Sequence, residues 1–214
     1  MMFDHVVVDV EIQKTIEETP GGWNATDKLG VAVACVWEYS TQRMRVYGPD
    51  DVEVLRQRLL DANRISGFNI FNFDFPVIWG ISKPDWMNWS VAGDKPEIRK
   101  SVNGINLKAT LGQKTDDMLR RIWKAKKLNP DKFNPNTHGG VGLDAVAWST
   151  LGMMKIGHGA DAPKWYQQGL IQKVVNYCAD DVALERDLTN FVEQYGYVLV
   201  GNEIINIPIW KGGA

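Results

Sequence analysis

Apolar positions along this chain change period several times, and each change marks an element. Val6-Val7-Val8 is apolar on both faces until Asp9, which predicts a buried strand over 4–11. Turn residues fill 15–28, among them Thr19-Pro20-Gly21-Gly22 and Asn24. Strands are predicted over 29–39 and 43–47, and Ser40-Thr41-Gln42 between them is short enough for a hairpin. Pro49-Asp50-Asp51 opens a helix with apolar positions at Val52, Val54, Leu55, Leu59 and Leu60. A fourth strand over 64–68 leads into a dense aromatic stretch from Gly67 to Pro76, then a short helix to about Gly80. Residues 82–105, rich in Trp, Pro, Gly and Lys, read as an excursion from the core. A fifth strand is expected over 105–110. Asp116-Asp117 then caps a helix to about Lys127, 129–140 is an irregular loop, and 143–151 a short helix. Ile171, Val174, Val175, Cys178, Val182, Leu188, Phe191 and Val192 form a 3.6-residue stripe over 170–195, with Gly196 at its C-cap. Val198-Leu199-Val200 and 204–209 suggest a closing hairpin turned at Gly201-Asn202. Strands first and mostly helices afterwards describe one α/β domain spanning 1–214.

Composition narrows the class. At 214 residues and 44% hydrophobic the chain can bury a substantial core. A net charge of −2 excludes a generally basic nucleic-acid binder, but not an enzyme acting on nucleic acid, because carboxylates that hold cations reverse the local sign. Cys35 and Cys178 are too few for a disulfide framework and match no metal-binding spacing. No signal-peptide pattern and no stretch near the ~20 apolar residues of a membrane span are present. The expectation is a soluble cytoplasmic protein.

Three stretches carry candidate chemistry. Asp9 and Glu11 close the first strand and project to the same side, where they repel each other unless a cation or proton intervenes. Alone, that pair reads better as a solvated strand end. Asp74 stands among Phe71, Phe73, Phe75 and Pro76. A carboxylate there needs a partner, although a helix N-cap would also account for it. Tyr177 and Asp181 are neighbours at i and i+4 beside the apolar stripe, whereas Asp180 points about 100° away toward solvent.

Together the three stretches resemble the DEDD superfamily of 3′–5′ exonucleases, in particular the subfamily with tyrosine in its last motif. The Asn69 to Pro76 segment, with its Asn-Phe-Asp, is similar to the proofreading domains of family B DNA polymerases and their stand-alone relatives. Asp117-Met118-Leu119 and Gly142-Leu143-Asp144 through Leu151-Gly152, with Lys155, resemble intervening features. The resemblance implies an RNase H-like fold, a five-stranded mixed sheet flanked by helices on both faces. It implies metal-dependent hydrolysis at a DNA or RNA 3′ end, DNA favoured and single strands preferred. Two divalent cations, Mg2+ or Mn2+, are implied, as suits an all-carboxylate site. Asp9 would bridge both, Glu11 and Asp181 would complete one site, and Asp74 would support the other. Tyr177 would orient the attacking water, since an ordinary pKa near 10 makes it a poor base. Ile12 stands where the family usually has Thr, so the grip on the terminal nucleotide would differ. No polymerase domain follows, so proofreading would act in trans.

Expected substrate contacts are Ile12, Asn69, Phe73, Arg120 and Lys124. Arg120, Arg121, Lys124, Lys126 and Lys127, with Trp123, form either a phosphate-gripping strip or a solvated helix face with the indole turned inward. Phe71, Phe73, Trp86 and Trp89 are aromatic candidates for base stacking, with core packing favoured for the two Phe. His5, His138 and His158 are expected to be structural or in loops.

Overall fold

The computed structural model describes residues 4–87, 107–129 and 140–211. These form a five-stranded sheet in the order β3-β2-β1-β4-β5, built from β1 (His5–Ile12), β2 (Val31–Glu38), β3 (Arg43–Tyr47), β4 (Arg64–Gly67) and β5 (Thr115–Asp117). β1 runs antiparallel to β2 and parallel to β4, β2 antiparallel to β3, and β4 parallel to β5, so the sheet is mixed.

The central strand carries alternate side chains into two cores. Val6, Val8, Val10 and Ile12 pack with Leu55 and Leu59 of α1 (Val52–Asp61) and with Phe75 and Ile78 of α2 (Asp74–Trp79). On the opposite face Val7 packs with Val33, Cys35 and the stripe Val174, Tyr177, Cys178 and Val182 of a long helix (Ile171–Tyr195). Each fully buried side chain of this kind contributes about 1.5–3 kcal/mol, and β1 is held from both sides. That makes it the rigid frame on which Asp9 and Glu11 are mounted.

The expected strand over 105–110 is not there. Leu107–Lys114 is a helix, and the fifth strand is Thr115–Asp117. Leu107 and Leu111, both buried, stand at helical spacing. The strand itself is polar and so invisible to an apolar pattern. It is buried because its acids are paired: Asp116 accepts from Arg64 Nε at 3.1 Å, Arg121 Nη1 at 2.8 Å and Ser66 Oγ at 3.0 Å. Asp117 caps the next helix, Met118–Ala125, by accepting from Arg120 N at 3.3 Å. Numbered in chain order after α2, the helices are α3 (Lys83–Met87), α4 (Leu107–Lys114), α5 (Met118–Ala125), α6 (Leu143–Leu151), α7 (Ala162–Gln167) and α8 (Ile171–Tyr195).

α8 ends as expected, with Gly196 left-handed at φ 74° and its N–H donating to Val192 O at 2.8 Å. The hairpin β6 (Tyr197–Val200) and β7 (Glu203–Asn206) follows. Of the 82–105 excursion only its start, including α3, lies within the described residues. Trp89, His138 and nearly all of the 129–140 loop lie outside them. Among the described residues no helix is long and apolar enough to cross a membrane.

Candidate functional site

Three distant segments converge on one cavity of about 330 Å3. β1 brings Asp9 and Glu11, the start of α2 brings Asp74, and α8 brings Tyr177 and Asp181; all five line the cavity. One carboxylate oxygen from each of Asp9, Glu11 and Asp181 lies within 4.8 Å of the other two. Asp74 is tied directly to the strand, its Oδ1 accepting from Val10 N at 3.0 Å. The Cys178 thiol, one residue after Tyr177, donates to Asp9 O at 3.4 Å and seats α8 on β1. The β1–β2 register shifts between Glu11 and Ile12, a local irregularity of the kind that re-aims side chains beside sites.

The turn between β4 and α2 is held by two further buried acids. Asp117 accepts from Asn69 N and Phe71 N, each at 3.0 Å. Glu185 of α8 accepts from Phe68 N at 3.1 Å. Asn69 is left-handed at φ 66°, a conformation Asn tolerates better than most residues. Gly67 has no substitute, because a Cβ there would stand 2.8 Å from Val8 O. Asp74 is thereby placed by backbone clamps rather than by its own contacts alone.

Burial is the main reason the acids resist ionising. It pushes Asp9 up to about 7, with Asp181 adding to the rise and Lys155 opposing it. Glu11, Asp74 and Glu185 are all raised well above the carboxylate range, first by burial and then by Asp9. Asp181 is raised by burial against the pull of Lys155, whose Nζ stands 2.7 Å from Asp181 Oδ2. Burial works against the Lys155 charge, but Asp181 and Asp9 outweigh it and hold the ammonium firmly protonated. Burial likewise raises Tyr177 above its ordinary value, so the phenol keeps its proton at neutral pH.

Several polar atoms in this cluster are left without a hydrogen-bond partner: Asp9 Oδ2, Asp181 Oδ1, Glu185 Oε2 and the Tyr177 hydroxyl. Buried groups of this kind are ordinarily satisfied, and unsatisfied ones cost about 1–3 kcal/mol each. An all-oxygen donor set with orphaned, mutually repelling carboxylates fits a hard divalent cation, with Asp9, Glu11 and Asp181 as its holders.

The expected substrate residues divide. Ile12, Asn69 and Phe73 line the cavity. Arg120 and Lys124 do not, and Arg120 and Arg121 are withdrawn from the expected phosphate-gripping strip, leaving Lys124 and Lys127 exposed. Arg120 is buried over the Phe71 ring at 4.7 Å, with Nη1 3.4 Å from Asn72 Oδ1. Arg121 pairs with Asp116, and Trp123 is turned into the core. The cause is the helix register, since Met118, Leu119 and Ile122 are core residues and carry their neighbours inward. Phe71 and Trp86 are core residues as well. His5 Nε2 donates to Ser66 Oγ at 2.7 Å, the Ser66 hydroxyl being given to Asp116, and the ring stacks on Tyr39 at 4.3 Å, outside the cavity. His158 is exposed in the loop before α7. Sequence reasoning missed Glu185, which continues the Tyr177, Asp181 row one helical turn further. It also missed Trp23 and Lys83, which line the cavity from loops and a short helix with no periodic signal.

The chain matches no protein-family model and no curated protein sequence with which it was compared.

Proposed function

We propose that this protein is a metal-dependent 3′–5′ exonuclease with an RNase H-like fold, hydrolysing phosphodiester bonds at nucleic-acid 3′ ends, DNA favoured. One observation carries the reading: Asp9, Glu11, Asp74, Tyr177 and Asp181, drawn from segments far apart in sequence, line a single cavity. The strand order and directions also agree with that fold.

Asp9, Glu11 and Asp181 would hold one divalent cation, and Asp74, beside Asp9, would support a second. Bound there, the cations would activate the attacking water and neutralise charge on the leaving oxygen. The chain's own groups have separate tasks. The Tyr177 hydroxyl, unpartnered and firmly protonated, is available to orient the attacking water by hydrogen bonding rather than to remove its proton. Lys155 restrains the Asp181 carboxylate and supplies a fixed positive charge where the phosphoryl group becomes more negative. Ile12, Phe73 and Trp23 form an apolar wall able to exclude water from the terminal base.

The test is digestion of paired DNA and RNA oligomers labelled at the 5′ end, with Mg2+, Mn2+ or EDTA, by wild type and Asp9→Ala. A ladder of shortened products that needs the cation and Asp9 is expected. Internal cuts would indicate an endonuclease instead, and faster RNA than DNA shortening would make the protein an RNA 3′-end trimmer. No hydrolysis of any strand by the wild type would overturn the proposal.

A further inference from the structure

Besides the acid cluster, the cavity is lined by residues of a different character. Trp23 sits in the 3-10 turn Gly22–Asn24 and is 48% exposed. It tilts against Phe73 with ring centroids 5.8 Å apart. That large aromatic face is held in place rather than loose: α3 packs against the turn, and Thr26 Oγ1 donates to Ile81 O at 2.6 Å just before α3. Beside it, at the start of α3, is Lys83, only 9% exposed and lining the same cavity. Among the described residues no carboxylate pairs with Lys83, and no hydrogen bond to its ammonium is formed. Burial alone acts on its charge, and lowers its pKa with nothing opposing.

The Lys83 stem is buried while its ammonium keeps contact with solvent, so the charge is open to a ligand rather than sealed in the core. Lys155, which lines the same cavity, shows the usual solution, a direct pair with Asp181. Lys83 shares a cavity with that same excess of acids and yet pairs with none. An unpaired cation near an aromatic plate, on the same cavity as the acids, suits a ligand that carries both a negative group and a flat ring.

On the exonuclease reading, we propose that Lys83 and Trp23 form a subsite for the 3′-terminal nucleotides of a single strand, Lys83 taking one internucleotide phosphate and Trp23 stacking on a base. Stacking on an aromatic plate tolerates every base, so the subsite sets affinity and strand position rather than sequence preference.

The test is fluorescence anisotropy with single-stranded oligomers in EDTA, so that the strand stays intact. In one series a single neutral methylphosphonate replaces each of the 3′-terminal linkages in turn. Wild type should lose about tenfold in affinity at one linkage. Lys83→Met should bind the unmodified strand about tenfold more weakly, be indifferent to that substitution, and show a salt slope shallower by about 0.7, the value for one fewer phosphate contact on a single strand. Equal sensitivity of Lys83→Met and wild type at every linkage would overturn the subsite. Should Lys83→Met fail to fold, Trp23→Ala, altered at an exposed position, takes its place with a strand abasic at each 3′ position in turn. Wild type should lose about tenfold at one such position and Trp23→Ala nothing, and equal losses would overturn it. A wild type that binds none of the strands overturns the subsite. If it also cuts none with Mg2+ or Mn2+, the exonuclease reading falls too, and if it cuts, that reading stands alone.

Discussion

Replacing Asp9 by Asn should make the cation-free protein more stable and remove its response to Mg2+. The substitution keeps the side chain's size and takes away one charge from a group of buried acids. Burial, then Asp181, raise Asp9 from 3.8 to about 7. Because the folded pKa lies above the unfolded one, the native state binds the extra proton between those values. Stability contributed by that proton is complete below about pH 4 and is lost as pH rises through about 7. A rise of roughly three pH units at about 1.4 kcal/mol each corresponds to about 4 kcal/mol at pH 8. The assay is denaturant unfolding of wild type and Asp9→Asn across pH 4–8, in EDTA and in Mg2+ or Mn2+. The difference between the two proteins cancels the groups that do not feel Asp9, and the coupled acids Glu11, Asp74 and Glu185, raised in part by Asp9, add to the variant's gain at high pH. In EDTA, Asp9→Asn should gain on wild type steadily toward pH 8. Saturating cation should stabilise wild type, by about 2.7 kcal/mol at a hundred times its dissociation constant, and leave the variant nearly unmoved. A variant less stable than wild type at pH 8 in EDTA, or stabilised equally by cation, would refute the reasoning.

Other outcomes follow from the same geometry. Asp181→Ala should abolish hydrolysis and weaken Mn2+ binding measured by calorimetry, and wild-type turnover would remove Asp181 from the site. Tyr177→Phe should lower the rate about tenfold, the worth of one hydrogen bond in the transition state, while Mn2+ affinity holds; loss of cation binding would instead make the tyrosine structural. Glu185→Gln keeps an acceptor for Phe68 N and should stay near wild-type activity and stability, whereas Glu185→Leu strands that N–H and should cost about 1–3 kcal/mol in unfolding experiments. His5 is held neutral, at about 3, by burial and then by Arg64; stability therefore falls as pH drops from 6.5 toward 3, and His5→Phe should flatten that part of the stability profile.

The parts of the site legible in the sequence were those written in periodic code. Asp9 and Glu11 were found because strand parity puts them on one side, and Tyr177 with Asp181 because helical spacing does. Asp74 was found because an acid among phenylalanines needs a reason. β5 was missed because Thr115-Asp116-Asp117 is polar. Its burial depends on Arg64 and Arg121, two partners no local pattern reveals. Arg120 was misread for the complementary reason, since charge suggested solvent while the apolar face of α5 carried it inward to Phe71. Trp23 and Lys83 belong to a turn and a five-residue helix, and only tertiary packing brings them to the acids.

The cavity holds unpaired charge of both signs. Acids are crowded beyond what a single lysine can neutralise, while Lys83, on the same cavity, pairs with no acid among the described residues. For a fold alone, pairing the two would lower the energy of both, because breaking or omitting a buried ion pair is worse than forming one. The clamps run the other way. Asp117 and Glu185 hold the β4–α2 turn, Asp74 is fixed to Val10, and Lys155 is spent on Asp181, so each of these groups is committed elsewhere than to Lys83. Local violations that the surrounding packing enforces are the mark of a site kept for a ligand. On the proposed exonuclease reading, a nucleic-acid 3′ end with its divalent ions would bring cations to the acids and a phosphate to Lys83.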